Sequence, residues 1–313
     1  MKHTILAPLA LAALLGLSIY VRAGANMRDE RDYGAYLDTA RSYAADGFAV
    51  DAAQYYIKAL GMFPSLGLRM EIADFYVESG LPETAADWCE DTAAMYPDEA
   101  EPYEYLMEAY LGMGDIASCF EIYDTAAKRG ISSAVCEGIM SEIEYAYFLT
   151  GKYESAASFS GGFCAVMSGG KWGYIDETGT LRLRFAYARA GPFGPDGRAE
   201  VTDGNGDVYF IDTKGNKRAA PPERQASGAP EPVGAPDGPF EDARNYSNGL
   251  AAVKKDGKWG YVDASGDMVI GNAFSEAGDF SGGGSAPVKT DGEWTLLRLY
   301  KYAGRKAGKA GAL

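Results

Sequence analysis

Gly257-Lys-Trp-Gly-Tyr-Val-Asp-Ala-Ser-Gly266 occurs almost unchanged earlier in the chain as Gly170-Lys-Trp-Gly-Tyr-Ile-Asp-Glu-Thr-Gly179. Shifting one copy by 87 residues aligns 153–183 with 240–270 without a gap, and 13 of the 31 positions are identical. A match of this length is an internal repeat, and each unit of a repeat protein packs mainly on its neighbours. This repeat therefore decides the fold of the C-terminal half.

Within each copy, short apolar runs alternate with turn signals, which predicts antiparallel β-hairpins. The Trp-Gly-Tyr run predicts a strand, and an Asp-x-x-Gly turn ends it. Two degraded copies are expected at 185–218 and 274–299, where Val208 and Trp294 take the position of Trp172. The four copies predict a β domain at 153–300, which either stays an open array or closes into a ring.

The Gly-Lys-Trp-Gly-Tyr phrase, with its flanking pattern, resembles the WG-repeat family of bacterial β repeats. The resemblance covers almost all of 153–300. Repeats of this family often follow helical repeats in exported proteins. The resemblance implies a β-repeat fold and no chemistry of its own.

Two interpretations of the repeated aromatic residues stay open. In the structural one, which we favour, each Trp fills the gap between hairpins and the following Gly lets a neighbouring strand approach. In the functional one, rows of rings form shelves for sugars or quaternary ammonium groups, as in choline-binding cell-wall repeats. The candidate binding residues in these rows are Trp172, Tyr174, Trp259, Tyr261 and Trp294.

The N-terminal half carries a second repeat, in which Tyr is followed by Gly four residues later and by a small residue five beyond that. Gly suits the left-handed turn that ends a first helix, and the small residue lets a second helix cross closely. The pattern predicts helical hairpins over 27–152. Its copies are Tyr43-Gly47-Ala52, Tyr76-Gly80-Ala85, Tyr110-Gly114-Cys119 and Tyr147-Gly151-Ala156.

The spacing of 33, 34 and 37 residues between these glycines resembles that of the tetratricopeptide family, over roughly 33–157. The resemblance implies a stack of helical hairpins with a groove that binds a peptide or a partner protein. Tyr36 and Tyr103 are the candidate groove residues. The predicted fold class is α+β and multidomain: an all-α solenoid followed by an antiparallel all-β repeat domain.

Charge is distributed unevenly along the chain. Residues 27–150 contain 24 acidic and 7 basic side chains, a net charge of -17, whereas 151–313 contain 20 of each. Nucleic-acid binding needs clustered Lys and Arg, so this half excludes it. The acidic surface is either a solvated face, which is the commoner case, or a docking surface for a basic partner.

The composition argues against an enzyme. The single histidine, His3, lies in a predicted export segment, which excludes histidine-dependent triads and histidine-ligated zinc. Carboxylate-only chemistry such as glycoside hydrolysis needs a suitable acid pair, and none stands out. Asp203-Gly-Asn-Gly-Asp207 begins like a calcium loop, but Val208 and Lys214 break the pattern and a tight turn explains it. We expect no catalytic residue, cofactor or metal.

Residues 1–26 are predicted to be a signal peptide or a membrane anchor. Met1-Lys-His precedes an apolar or small run from Thr4 to Val21, which is close to the length of a membrane span. The chain would then lie outside the cytoplasm, where cysteines can form disulfides. We nevertheless predict that the cysteines are small buried hydrophobes, because neighbouring repeats carry Tyr or Ala at two of the positions. The four are Cys89, Cys119, Cys136 and Cys164.

Two remaining segments have no apolar period. A Pro/Gly-rich insertion at 219–239 separates the second and third β repeats, and a basic tail at 301–313 is expected to be disordered. Together these features favour a non-enzymatic adaptor at the bacterial cell envelope that binds another protein or peptide. The alternative is a module that binds cell-wall carbohydrate through the Trp and Tyr rows.

Overall fold

A computed structural model describes residues 29–221 and 234–303. The chain divides into two compact units between Glu142 and Ile143. The predicted export segment, most of the insertion at 219–239 and most of the basic tail lie outside the described residues. Among the helices that the structure describes, none is long and apolar enough to cross a membrane.

The helical unit contains seven described α-helices, and six of them pack as consecutive hairpins: α1 with α2, α3 with α4 and α5 with α6. The seventh packs against the last hairpin. Their bounds are α1 Asp29–Ala45, α2 Ala49–Met62, α3 Leu66–Glu78, α4 Pro82–Met95, α5 Glu101–Gly112, α6 Ile116–Lys128 and α7 Ala134–Glu142.

The repeated Tyr-x-x-x-Gly pattern forms the turn of each hairpin. Gly47 has a φ of 80°, in the left-handed region that glycine adopts without strain. Its N–H donates to the Ala44 carbonyl at 3.1 Å, and the N–H of Phe48 donates to the Tyr43 carbonyl at 2.8 Å. This pair of bonds is the Schellman motif, and the same bonds form at Gly80 and Gly114. The predicted role of these glycines is confirmed.

The small residues of the pattern lie where the helices of a hairpin cross. Ala52, Ala85 and Cys119 are completely buried. A larger side chain at these positions would force the paired helices apart, since interiors pack without voids. The three predicted copies from Tyr43 to Cys119 therefore correspond to the three hairpins.

The fourth copy of the pattern begins at Tyr147, and its prediction as helix up to residue 152 is wrong. The chain from Tyr147 to Tyr153 is a strand that pairs with the last strand of the β unit. Gly151 has a φ of 73° at an irregularity in this pairing. A left-handed glycine serves a β-bulge as well as a helix end, so the local pattern could not separate the two. The helical unit consequently ends before the predicted limit of 152.

The β unit contains sixteen described strands in four antiparallel sheets of four. Sheet 1 is β2-β3-β4-β5, sheet 2 is β6-β7-β8-β9, sheet 3 is β10-β11-β12-β13 and sheet 4 is β14-β15-β16-β1. The bounds are β1 Tyr147–Tyr153, β2 Ser155–Ala156, β3 Phe163–Ser168, β4 Lys171–Asp176, β5 Leu181–Tyr187, β6 Arg189–Ala190, β7 Arg198–Thr202, β8 Val208–Asp212, β9 Lys217–Arg218, β10 Asp242–Ala243, β11 Leu250–Lys255, β12 Lys258–Asp263, β13 Met268–Phe274, β14 Glu276–Ala277, β15 Ser285–Thr290 and β16 Glu293–Leu299.

Each predicted β repeat forms one sheet, and the Trp-Gly-Tyr segments form the third strand of sheets 1 and 3. Sheet 4 is different, because the last repeat supplies three strands and β1, which precedes the first repeat, supplies the fourth. The first strand of the unit thus pairs with the last one.

The sheets contact one another in the order sheet 2, sheet 1, sheet 4, sheet 3. A linear array would separate the first repeat from the last, whereas here they are neighbours. The Ser285 hydroxyl of sheet 4, for example, donates to the Glu177 carbonyl in sheet 1 at 2.6 Å. The first and last repeats are therefore neighbours, and sheet 4, built from both ends of the unit, leaves neither β1 nor β16 as an unpaired strand.

Candidate binding surfaces

The three tryptophans of the predicted aromatic rows occupy equivalent positions in their sheets. Trp259 is only 7% exposed, while Trp172 and Trp294 are half-buried. Each lies opposite another aromatic residue on the adjacent strand: Tyr187 for Trp172, Phe274 for Trp259 and Tyr153 for Trp294. Trp259 belongs to a hydrophobic cluster and Trp172 packs against another, which agrees with the structural interpretation for these two.

The glycine after each repeated Trp lies against the backbone of the next strand. A Cβ at Gly173 would lie 2.6 Å from the Leu183 carbonyl oxygen, and one at Gly260 would lie 2.5 Å from that of Ile270. Both distances are shorter than any stable contact between a carbon and an oxygen. The close approach of the two backbones therefore requires glycine after the repeated Trp.

The repeated tyrosines lie inside the β unit. Tyr174 is 1% exposed and Tyr261 is completely buried, and burial raises the pKa of both phenols. The Tyr174 hydroxyl donates to the Gly191 carbonyl at 2.7 Å, and the Tyr261 hydroxyl donates to the Gly278 carbonyl at 2.9 Å. Each bond joins one sheet to the next, so neither ring is open to a ligand, contrary to their inclusion among the candidate binding residues.

Replacing Tyr261 with Phe should lower the free energy of unfolding by about 1–2 kcal/mol, because the buried Gly278 carbonyl loses its donor. Chemical denaturation of the native and variant chains measures this difference. Tyr302→Phe is the matched control, since the Tyr302 side chain is exposed. Equal losses in the two variants would contradict a locking role for the Tyr261 hydroxyl.

The repeated Asp residues close the turns between the third and fourth strands. One carboxylate oxygen of Asp212 accepts the N–H groups of Lys214 and Asn216, both at 2.9 Å. The Asn216 N–H, followed by the other donors, lowers the pKa of this carboxyl. Asp176 and Asp263 make the equivalent bonds. In the segment that begins like a calcium loop, Asp203 accepts two backbone N–H groups in the same way, which is the geometry of a tight turn.

On the helical unit, the odd-numbered helices form one layer. The Arg41 guanidinium of α1 donates to the Glu71 carboxylate of α3 at 2.7 and 2.9 Å. Asp74 of α3 lies near Tyr105 of α5, since burial and then the Asp74 carboxylate raise the pKa of that phenol. The Ser133 hydroxyl, just before α7, donates to Glu104 of α5 at 2.5 Å. Side chains that project from this layer therefore share one surface.

That surface is acidic, and we call it the acidic layer: Asp74, Glu101, Glu104 and Glu108, on α3 and α5. Asp74 and Glu101 both raise the pKa of the Cys89 thiol, after burial, and Glu104 and Glu108 both raise that of Cys136. Asp74 and Glu101 therefore lie near one thiol, and Glu104 and Glu108 lie near another. Among the described residues, none of the four forms a salt bridge.

The two candidate groove residues differ in exposure. Tyr36 is half-buried, and the Lys58 ammonium lies 5.7 Å from its ring centroid. Tyr103 is 2% exposed, and its hydroxyl donates to the Pro97 carbonyl at 3.2 Å. Tyr103 is therefore a core residue of the helical unit, and a groove contact is open to Tyr36 alone of this pair.

All four cysteines are buried and unpaired. Burial raises the pKa of the Cys89, Cys119 and Cys164 thiols to about 12, so they are not reactive thiolates at neutral pH. Cys136 lines an open pocket of about 250 Å³ between the end of α6 and the start of α7. The prediction that the cysteines act as buried hydrophobes agrees with these positions.

Comparisons with known proteins bear on both halves. The family model described as "WG containing repeat" matches residues 149–172, 172–206, 240–259 and 259–294. Among solved structures, the Sgt2 TPR domain from Aspergillus fumigatus is similar at 21% sequence identity, over 41% of this chain and 87% of that chain, with a TM-score of 0.31. No curated protein matches the chain. The family match covers the β repeats, and the N-terminal unit is a series of helical hairpins.

Proposed function

We propose that this protein is a non-enzymatic binding scaffold whose helical unit holds a basic segment of a partner protein. The observation that carries the proposal is the acidic layer, on a stack of helical hairpins. Residues 29–142 contain 23 acidic and 6 basic side chains, a net charge of -17. Such a potential attracts basic partners and speeds their association.

Carboxylates of the helical unit lie close enough to repel one another, which supports the proposal that the partner is basic. The pKa of the Asp87 carboxyl is raised by burial and then by Glu90, Asp91 and Glu83. Each nearby cationic group of a partner would reduce this repulsion. Since opposite charges attract within about 10 Å at moderate salt, the effect should weaken as salt is added.

A capture experiment tests this function. The chain from residue 29 onward is immobilised and exposed to exported proteins of the same cell, and captured proteins are identified and their affinities measured. Neutralising Asp74, Glu101 and Glu108 to Asn or Gln should weaken binding about tenfold, from about 0.5 kcal/mol for each charge. The matched control neutralises Glu200, Asp207 and Glu276, which are exposed in the β unit. Equal affinity of both triple variants would contradict the proposal.

Carbohydrate binding by the β unit is the alternative function, and the same experiment can detect it. Purified peptidoglycan with its attached polymers serves as the second pool. The half-buried rings of Trp172 and Trp294 are the ones that a sugar could reach. Saturable wall binding that free sugar or choline abolishes, together with no effect of the acidic substitutions, would favour this alternative.

We further propose that the protein acts at the bacterial cell envelope, outside the cytoplasm. This rests on the apolar run from Thr4 to Val21, flanked by Lys2 and Arg22. Fractionation of cells that produce the full chain, with N-terminal sequencing, tests the location and distinguishes a cleaved signal from an anchor. Recovery of the intact chain in the cytoplasm would contradict it.

A further inference from the structure

A buried arginine in the β unit leaves one of its donor groups without an acceptor. Arg298 of β16 is 9% exposed, and its buried Nε has no hydrogen-bond partner. Among the described residues, its guanidinium makes no salt bridge either. The guanidinium lies over the Phe148 ring, with its carbon 5.3 Å from the ring centroid. A buried donor without an acceptor is destabilising, so it needs an explanation.

Comparison with the other repeats explains why an arginine is possible at position 298. Counted from the repeated Trp, Arg298 takes the position of Asp176, Asp212 and Asp263. Those aspartates accept N–H groups of the turn that leads to the fourth strand. Sheet 4 has no such turn, because its fourth strand is β1, from another part of the chain. The donors that an Asp would bind are therefore absent.

The carboxylates nearest to Arg298 have other contacts. Burial lowers the pKa of Arg298, and the Asp176 carboxylate raises it by a smaller amount. That carboxylate, however, accepts a hydrogen bond from Arg182 at 2.6 Å. The Glu177 carboxylate lies against Gly283, since a Cβ there would be 2.4 Å from its Oε2. Neither acid lies within salt-bridge distance of Arg298.

The surroundings leave an approach to the guanidinium. Ser285 lies directly opposite Arg298 on β15, at the end of the run Ser281-Gly-Gly-Gly-Ser285. A Cβ on the exposed Gly282 would meet nothing within 4 Å. Gly283 and Gly284 of this run lie against the Glu177 carboxylate and the Tyr302 ring, so the open space is at Gly282.

We propose that Arg298 binds a carboxylate of a ligand at the seam between sheets 4 and 1. A guanidinium presents paired N–H donors that match the two oxygens of a carboxylate. Asp176 and Glu177 disfavour a doubly charged group such as phosphate, because each further negative charge is repelled by them. The site lies wholly in the β unit, so it stands apart from the acidic layer of the helical unit.

The test titrates the full chain with acetate, and separately with phosphate, at constant ionic strength. Acetate should shift the ¹H–¹⁵N signal of Arg298 Nε–H saturably and raise the Tm by about 2–4 °C. Phosphate should not shift this signal, and it should raise the Tm of the native chain no more than it raises that of the Arg298→Met variant. Arg298→Met identifies the signal, should abolish the acetate response, and should leave the chain without acetate at least as stable as the native one.

Arg184→Met is the matched control, because Arg184 is exposed on β5 and should keep the full acetate response. An unchanged Nε–H signal in the native chain would overturn the site, and so would the same Tm response in Arg298→Met. A stronger response to phosphate than to acetate would overturn the carboxylate assignment. If Arg298→Met does not fold, Arg298→Lys identifies the signal and the titration of the native chain decides.

Discussion

Replacing Gly260 with alanine is expected to lower the free energy of unfolding by about 3 kcal/mol. The added Cβ would lie 2.5 Å from the Ile270 carbonyl oxygen and 2.9 Å from the Asn272 nitrogen. Both are backbone atoms of β13, so no side-chain rotation relieves the overlap and the strands must separate. Chemical denaturation of the native and variant chains measures the loss.

The control for this substitution is Gly271→Ala on the neighbouring strand. A Cβ at Gly271 would meet no atom within 4 Å, and this glycine does not have a left-handed φ. We expect a change within about 0.5 kcal/mol, as for an ordinary surface substitution. If Gly260→Ala were as mild as the control, the close approach of the two backbones would not be the reason for the Trp-Gly pair.

Removing β1 is expected to have the second large effect. A fragment of residues 143–303 should fold and unfold cooperatively, because it contains the whole compact β unit. A fragment of residues 154–303 should not, because β16 loses β1, whose residues Tyr147–Thr150 pair with it in register. Its unpaired edge would also promote aggregation. Circular dichroism melts and size-exclusion chromatography compare the two fragments.

A synthetic peptide of residues 143–153 provides the control for the truncation. Added in excess to the 154–303 fragment, it should restore a cooperative melt, whereas a peptide of the same composition in scrambled order should not. Cooperative folding of the 154–303 fragment alone, at the Tm of the longer one, would show that β1 is dispensable for the unit.

The sequence predicted those parts of the fold that depend on local signals. The glycines after Tyr43, Tyr76 and Tyr110 form left-handed turns and correctly predicted where the first helix of each hairpin ends. The Asp-x-x-Gly runs close β-turns and correctly predicted where strands end. The strand β1 was missed because its partner is distant in sequence. Nothing near Tyr147 shows that β16 will pair with it, and its glycine spacing matches that of the helical hairpins.

The candidate sites were harder to predict than the fold. A Trp or Tyr in a repeat can serve the core or the surface, and only the packing shows that Tyr174, Tyr261 and Tyr103 are buried. Arg298 was not singled out from the sequence. Aligning the degraded fourth repeat by its Trp294 would have revealed an arginine in place of the repeated Asp, which is a detectable signal.

The pairing of β1 with β16 also sets the order in which the β unit can form. Tyr147 leaves the ribosome long before its partner Leu299. Sheets 1 to 3 use only strands that are close in sequence, so each can form as it emerges, whereas sheet 4 must wait for the far end of the unit. The first strand to emerge is thus among the last to be paired, and until then it stays exposed to any factor that recognises unpaired strands.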